Sequence, residues 1–201
     1  MSSSFWTPVE TQFHIPCHPI AIIDIMGSSG EAKKIDDFVY HLDAVTRYYA
    51  VGCPSDFLSV LSDPSEMPRD LVICGHGDET GFVFGDFADE IDTSMLRDGS
   101  LPSECIAQKA RLPDRLVVNS CCEGGLEHMA QAFKSAGVQA YIGAIDAVDF
   151  ASTLLFVLIF FDNLWRKQLS IYHAWEKAAS YDKETALFVL YDSQGRRSRV
   201  G

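Results

Sequence analysis

Asp70-Leu-Val-Ile-Cys-Gly-His-Gly77 and Arg115-Leu-Val-Val-Asn-Ser-Cys-Cys122 are the two stretches whose reading decides the fold. Each is a short, unbroken apolar run, the pattern of a strand covered on both faces. Each ends on small and reactive residues. Working outward, Ile20–Met26 is a third such run, closed by Gly27-Ser-Ser-Gly30. Gln139–Ile145 and Ala186–Tyr191 predict two more strands. Between them lie helical periods. Ile35, Phe38, Val39, Leu42, Val45 and Tyr49 predict one helix, and Asp56–Leu61 a short one stopped by Pro64. Leu126, Met129, Ala130 and Phe133 predict another helix, stopped at Gly137. Asp149–Lys167 and Ser170–Tyr181 predict two more, and Gly81–Gly85 part of a hairpin. Alternating strands and helices imply an α/β fold, a mostly parallel central sheet with helices on both faces. Residues 19–192 read as one domain, 1–18 as an extended arm with Pro8 and Pro16, and 193–201 as a flexible tail.

Composition narrows the function classes. The 201 residues are 47% apolar, enough for one core. Twenty-eight acidic against sixteen basic residues give a net charge of −12, which argues against direct nucleic-acid binding. No signal peptide or membrane span is readable, so the sequence predicts a cytoplasmic protein without a membrane partner. Cys17, Cys53, Cys74, Cys105, Cys121 and Cys122 show no C-x-x-C spacing and no nearby His cluster. Neither a metal nor an organic cofactor is therefore expected, and the thiols read as free. Gly27–Gly30 lacks the Gly-Lys-Ser/Thr of a phosphate loop.

Ligand sites in parallel sheets form beyond the carboxyl ends of the strands. There the first run delivers His76-Gly77 and the second Cys121-Cys122. A thiolate attacks, a nearby imidazole manages its proton, and a glycine admits a substrate carbonyl and offers its N–H. No third residue that would orient His76 is evident.

These residues resemble the caspase-like cysteine peptidases. Leu71-Val-Ile-Cys-Gly-His-Gly77 is similar to their His-Gly motif, and Val117-Val-Asn-Ser-Cys-Cys-Glu-Gly124 to their cysteine motif. Ala136–Asp149 is similar to a CHAT and separase segment, and the resemblance spans roughly residues 69–181. It implies a three-layer caspase-like sandwich and a cysteine endopeptidase with a His76–Cys121 dyad. Asn119-Ser-Cys121 matches the family's Asn-Ala-Cys, while Cys122 is the alternative nucleophile. The backbone N–H groups of Gly77 and Cys121 would hold the oxyanion. Asp146, in the turn that binds a basic side chain in separase-like members, and Asp24 are the candidates for substrate binding, implying cleavage after a basic residue. Partners would be a protein or peptide substrate and, on a second reading as a latent CHAT-like signalling module, an activating protein. A third reading, another thiol enzyme such as a glutamine amidotransferase, has its Cys and His in the opposite order.

Overall fold

A computed structural model describes residues 18–27, 30–88 and 90–200; the expected arm, apart from His18, and Ser28 and Ser29 of the first turn lie outside the described residues. Strands β1 (His18–Ile25), β3 (Asp70–Cys74), β7 (Leu116–Asn119) and β8 (Ala140–Ala144) run parallel at the centre of a seven-stranded sheet of order β10-β9-β8-β7-β3-β1-β2. β2 (Ala44–Val51) adds in parallel at one edge. At the other, β9 (Phe188–Asp192) and β10 (Gly195–Arg197) close the sheet antiparallel. Residues expected to be a loose tail thus include an edge strand.

The strands are apolar on both sides because both sides are covered. Helices α2 (Pro54–Ser62), α3 (Ser103–Lys109) and α4 (Glu127–Ser135) pack Phe57, Leu61, Ile106 and Phe133 against Ile23, Leu71, Ile73 and Val117. Helices α1 (Glu31–Tyr40), α5 (Phe150–Phe161) and α6 (Ile171–Ala179) pack Ile35, Phe156, Phe160 and Trp175 against Ile22, Val72, Val118 and Ile142. This is the three-layer α/β architecture expected from the alternation.

Two expected helices end early. The period running to Tyr49 breaks at Asp43, whose φ of 60° turns the chain. The β-branched and aromatic residues Val45, Thr46, Tyr48 and Tyr49 then form β2 instead. The helix from Asp149 becomes a π-helical turn at Asp162–Arg166. Its start is as expected: the Asp149 side chain caps it by accepting from the Ser152 N–H at 3.0 Å. A second, three-stranded sheet, β4 (His76–Gly77), β5 (Gly81–Val83) and β6 (Ser100–Pro102), leaves the carboxyl end of β3. Among the described residues no helix is long and apolar enough to cross a membrane.

Candidate active site

Strand alternation decides which side chains meet. Neighbouring residues on a strand face opposite sides, so Leu71 and Ile73 lie under α2–α4 while Val72 and Cys74 lie under α1, α5 and α6. On β7, Val117 takes the first side, Leu116 and Val118 the second. Pairing of β3 with β7 sets Asp70 against Leu116 and Ile73 against Asn119, an offset of 46 residues. Carried past both strand ends, that offset would set His76 opposite Cys122, and both residues line one cavity.

The side chains follow this parity. Cys121 is 1% exposed and packs in the core under α2–α4. Burial, aided by the nearby Glu31 and Cys122, raises its thiol well above the usual cysteine range. Cys122 is half-buried and lines a cavity of about 350 Å³ together with Gly75, His76, Ser120, Glu31, Val148, Phe150 and Thr153. Its Sγ makes one long contact, 3.8 Å to the Val148 carbonyl oxygen.

Backbone geometry distinguishes the two cysteines again. The Cys121 N–H donates to Asn119 Oδ1 at 3.0 Å, so it is already engaged. The Cys122 N–H has no acceptor among the described residues. Asn119 is itself held, its Nδ2 donating to the Tyr141 hydroxyl at 2.9 Å, which donates in turn to the Gly124 carbonyl. This chain fixes the turn around Cys122. An added Cβ at Gly124 would overlap Asn119, and one at Gly77 would overlap the Cys122 carbonyl oxygen. Both glycines are required by close approach, and Gly77 sits directly against the Cys121–Cys122 backbone. Because the Asp78 N–H donates to the Gly81 carbonyl at 3.0 Å, the next pair, Gly77–Phe82, is the non-hydrogen-bonded one. The Gly77 N–H therefore points away from β5.

The acid of the cavity is Glu31, a residue the sequence reading did not single out. It opens α1, is 7% exposed, and its Oε1 is buried without a partner among the described residues. Burial raises its carboxyl to about 7, against opposing hydrogen bonds from Ser120 and Cys74. Asp24, buried at the end of β1, adds to that rise; it does not line the cavity and accepts from the Tyr48 hydroxyl at 2.7 Å. Asp146 is exposed and also outside the cavity lining. Its Oδ1 accepts from the Ala147 N–H at 2.7 Å and its carbonyl from the Glu123 N–H, so it shapes the turn beside Cys122. Among the described residues no group of three or more His, Cys, Asp or Glu could hold a metal ion, and Cys53, Cys74, Cys105, Cys121 and Cys122 are free.

No family model and no curated protein matches the sequence. Solved structures do match the fold. An Arg-specific cysteine proteinase, gingipain R, aligns over 84% of this chain and 43% of its own, at 12% identity and TM-score 0.55. The Saccharomyces cerevisiae separase–securin complex aligns over 92% of this chain and 13% of the other, at 13% identity and TM-score 0.57. A secreted C11 cysteine protease of Bacteroides thetaiotaomicron, bound to an irreversible peptide inhibitor, aligns over 89% and 67%, at 9% identity and TM-score 0.50. The chain therefore spans less than half of the gingipain chain and about an eighth of the separase complex's matched chain. Its fold is that of the caspase-like cysteine peptidases.

Proposed function

From this caspase-like fold we propose that the chain is a cysteine endopeptidase whose nucleophile is Cys122 and whose acid–base group is His76. The observation that carries the proposal is the shared cavity: His76 and Cys122 line it on the same side of the sheet, while Cys121 is sealed in the core. Cys122 Sγ attacks the scissile carbonyl carbon. His76 takes the thiol proton and delivers it to the leaving amine. The resulting thioester is hydrolysed by a water that His76 deprotonates, which frees the thiol. The developing oxyanion accepts from the unengaged Cys122 N–H and from the Gly77 N–H, which points away from β5.

The substrate is a protein or peptide cut after a basic residue. Glu31 supports this preference: a buried carboxyl with one oxygen unpartnered among the described residues gains most from a cationic side chain that brings its own hydrogen-bond donors. Asp24 supplies further negative charge behind it, and Asp146 holds the turn rather than the substrate.

A series of fluorogenic peptides with Arg, Lys, Asp or Leu before the cleaved bond tests the reading. The Arg and Lys peptides are expected to exceed Leu by at least about tenfold in kcat/KM. Turnover of no peptide, or turnover unchanged in His76→Ala, would overturn it.

A further inference from the structure

Lys34 on α1 places its Nζ 4.8 Å from the centre of the Phe150 ring at the start of α5. Phe150 lines the cavity that holds Glu31, and Glu31 lies three residues before Lys34, on the same helical face. The positive charge of Lys34 is near enough to help hold Glu31 ionised against its burial. One ammonium thus stands over an aromatic face and within electrostatic reach of a desolvated carboxyl, the two features a cation site requires.

Its neighbour shows that this placement is a choice. Lys33 forms ordinary surface ion pairs with Asp36 and Asp37, both at 2.8 Å. Lys34 makes no ion pair within 4.0 Å among the described residues, although acids stand on the same helix. Phe150 remains 39% exposed, so its ring is open to a visiting group.

We propose that Glu31 and Phe150 form the subsite for the basic side chain of the substrate, and that Lys34 is its built-in occupant, displaced when that side chain enters. The proposal rests on the peptidase reading above and names what enforces its preference. A guanidinium stacks on a ring and engages a carboxylate in a planar fork, so Arg displaces Lys34 more readily than Lys does. An exposed lysine that gains little from its contact yields easily, so Lys34 screens out weak cations while leaving the site open to Arg.

The test uses n-butylguanidinium as the cation, titrated into the protein and followed through the ring carbons of labelled phenylalanine by NMR. Wild type, Lys34→Met, Phe150→Leu and Glu31→Gln are compared, each checked for folding by circular dichroism. Lys34→Met keeps the stem and removes the charge; it is expected to tighten binding about three- to tenfold. Phe150→Leu weakens it and Glu31→Gln abolishes it. In peptide hydrolysis, Lys34→Met raises the ratio of kcat/KM for an Arg peptide over its norleucine analogue by the same factor. Unchanged or weaker butylguanidinium binding in folded Lys34→Met overturns the proposal. Cleavage after Arg with an unchanged ratio overturns it and leaves the peptidase reading intact. Butylguanidinium affinities that respond as expected, with no peptide cleaved, uphold the subsite and overturn the peptidase reading.

Discussion

The two ends of the sheet carry cavities of nearly equal size, about 350 Å³ at the carboxyl ends of the strands and about 340 Å³ at the amino ends. Each holds an imidazole, a carboxyl and an aromatic ring: His76, Glu31 and Phe150 above, His18, Asp70 and Trp165 below. Burial raises the affinity of both carboxyls for a proton. The difference lies in what the groups do with one another. Below, Trp165 Nε1 donates to Asp70 Oδ2 at 3.0 Å, and the His18 ring stacks on Trp165 with centroids 4.9 Å apart and planes 3° from parallel. Above, among the described residues, Glu31 Oε1 is orphaned, the Cys122 N–H is unengaged and the Cys122 thiol makes only a long contact. Buried polar groups cost stability unless paired, so the lower set acts as structure and the upper set is held ready for something else.

That contrast breaks most visibly at the imidazoles. His76→Ala is expected to lower kcat by about 10²–10⁴-fold, whereas His18→Ala leaves kcat unchanged and costs about 1 kcal/mol of stability from the lost ring stack. Steady-state kinetics and urea unfolding on both variants check it. Next comes Gly77→Ala. Its methyl would displace the Cys122 carbonyl, and a shift of the nucleophile by a fraction of an ångström is expected to cost about 10²-fold in kcat/KM.

The carboxyls give the third comparison. Glu31 is raised from 4.5 to about 7 in the folded chain, so the folded form holds its proton more tightly than the unfolded form. Its stabilising contribution is complete below the unfolded value and is lost as pH rises through about 7, an effect on the order of 3 kcal/mol. Glu31→Gln is expected to flatten the fall in unfolding free energy between pH 5 and pH 8, read from urea titrations. If Glu31 receives the basic side chain as proposed, its ionised form binds an arginyl group best, and KM for Arg peptides is expected to fall as pH rises through about 7. The smallest effect is Asp70→Asn, which weakens one bond to Trp165, costs about 1 kcal/mol and leaves kcat/KM unaltered.

Much of this architecture was legible in the sequence, for identifiable reasons. Unbroken runs such as Leu71–Cys74 and Leu116–Val118 are read correctly because a strand covered on both faces has no polar side. The same property hides which face each residue takes. The choice between Cys121 and Cys122 depends on the inter-strand offset, and that offset follows from how Asp70 meets Leu116 in space. β2 is obscured because Val45 and Tyr49 stand four apart and mimic a helical stripe, while the turn at Asp43 leaves little local trace. Glu31 looks like an ordinary acid in a first helical turn, where such residues are common. Its burial comes from the start of α1 lying over the carboxyl ends of the central strands β3 and β7, beside Cys74 and Ser120, a tertiary fact.

The most direct test of the account is covalent labelling of the intact protein with an arginyl acyloxymethyl ketone, read by mass. Wild type, Cys121→Ala and Cys122→Ala are compared. A single adduct on wild type and Cys121→Ala, absent from Cys122→Ala, is the predicted result. An adduct retained in Cys122→Ala and lost in Cys121→Ala would contradict the assignment of the nucleophile and the strand parity on which it rests.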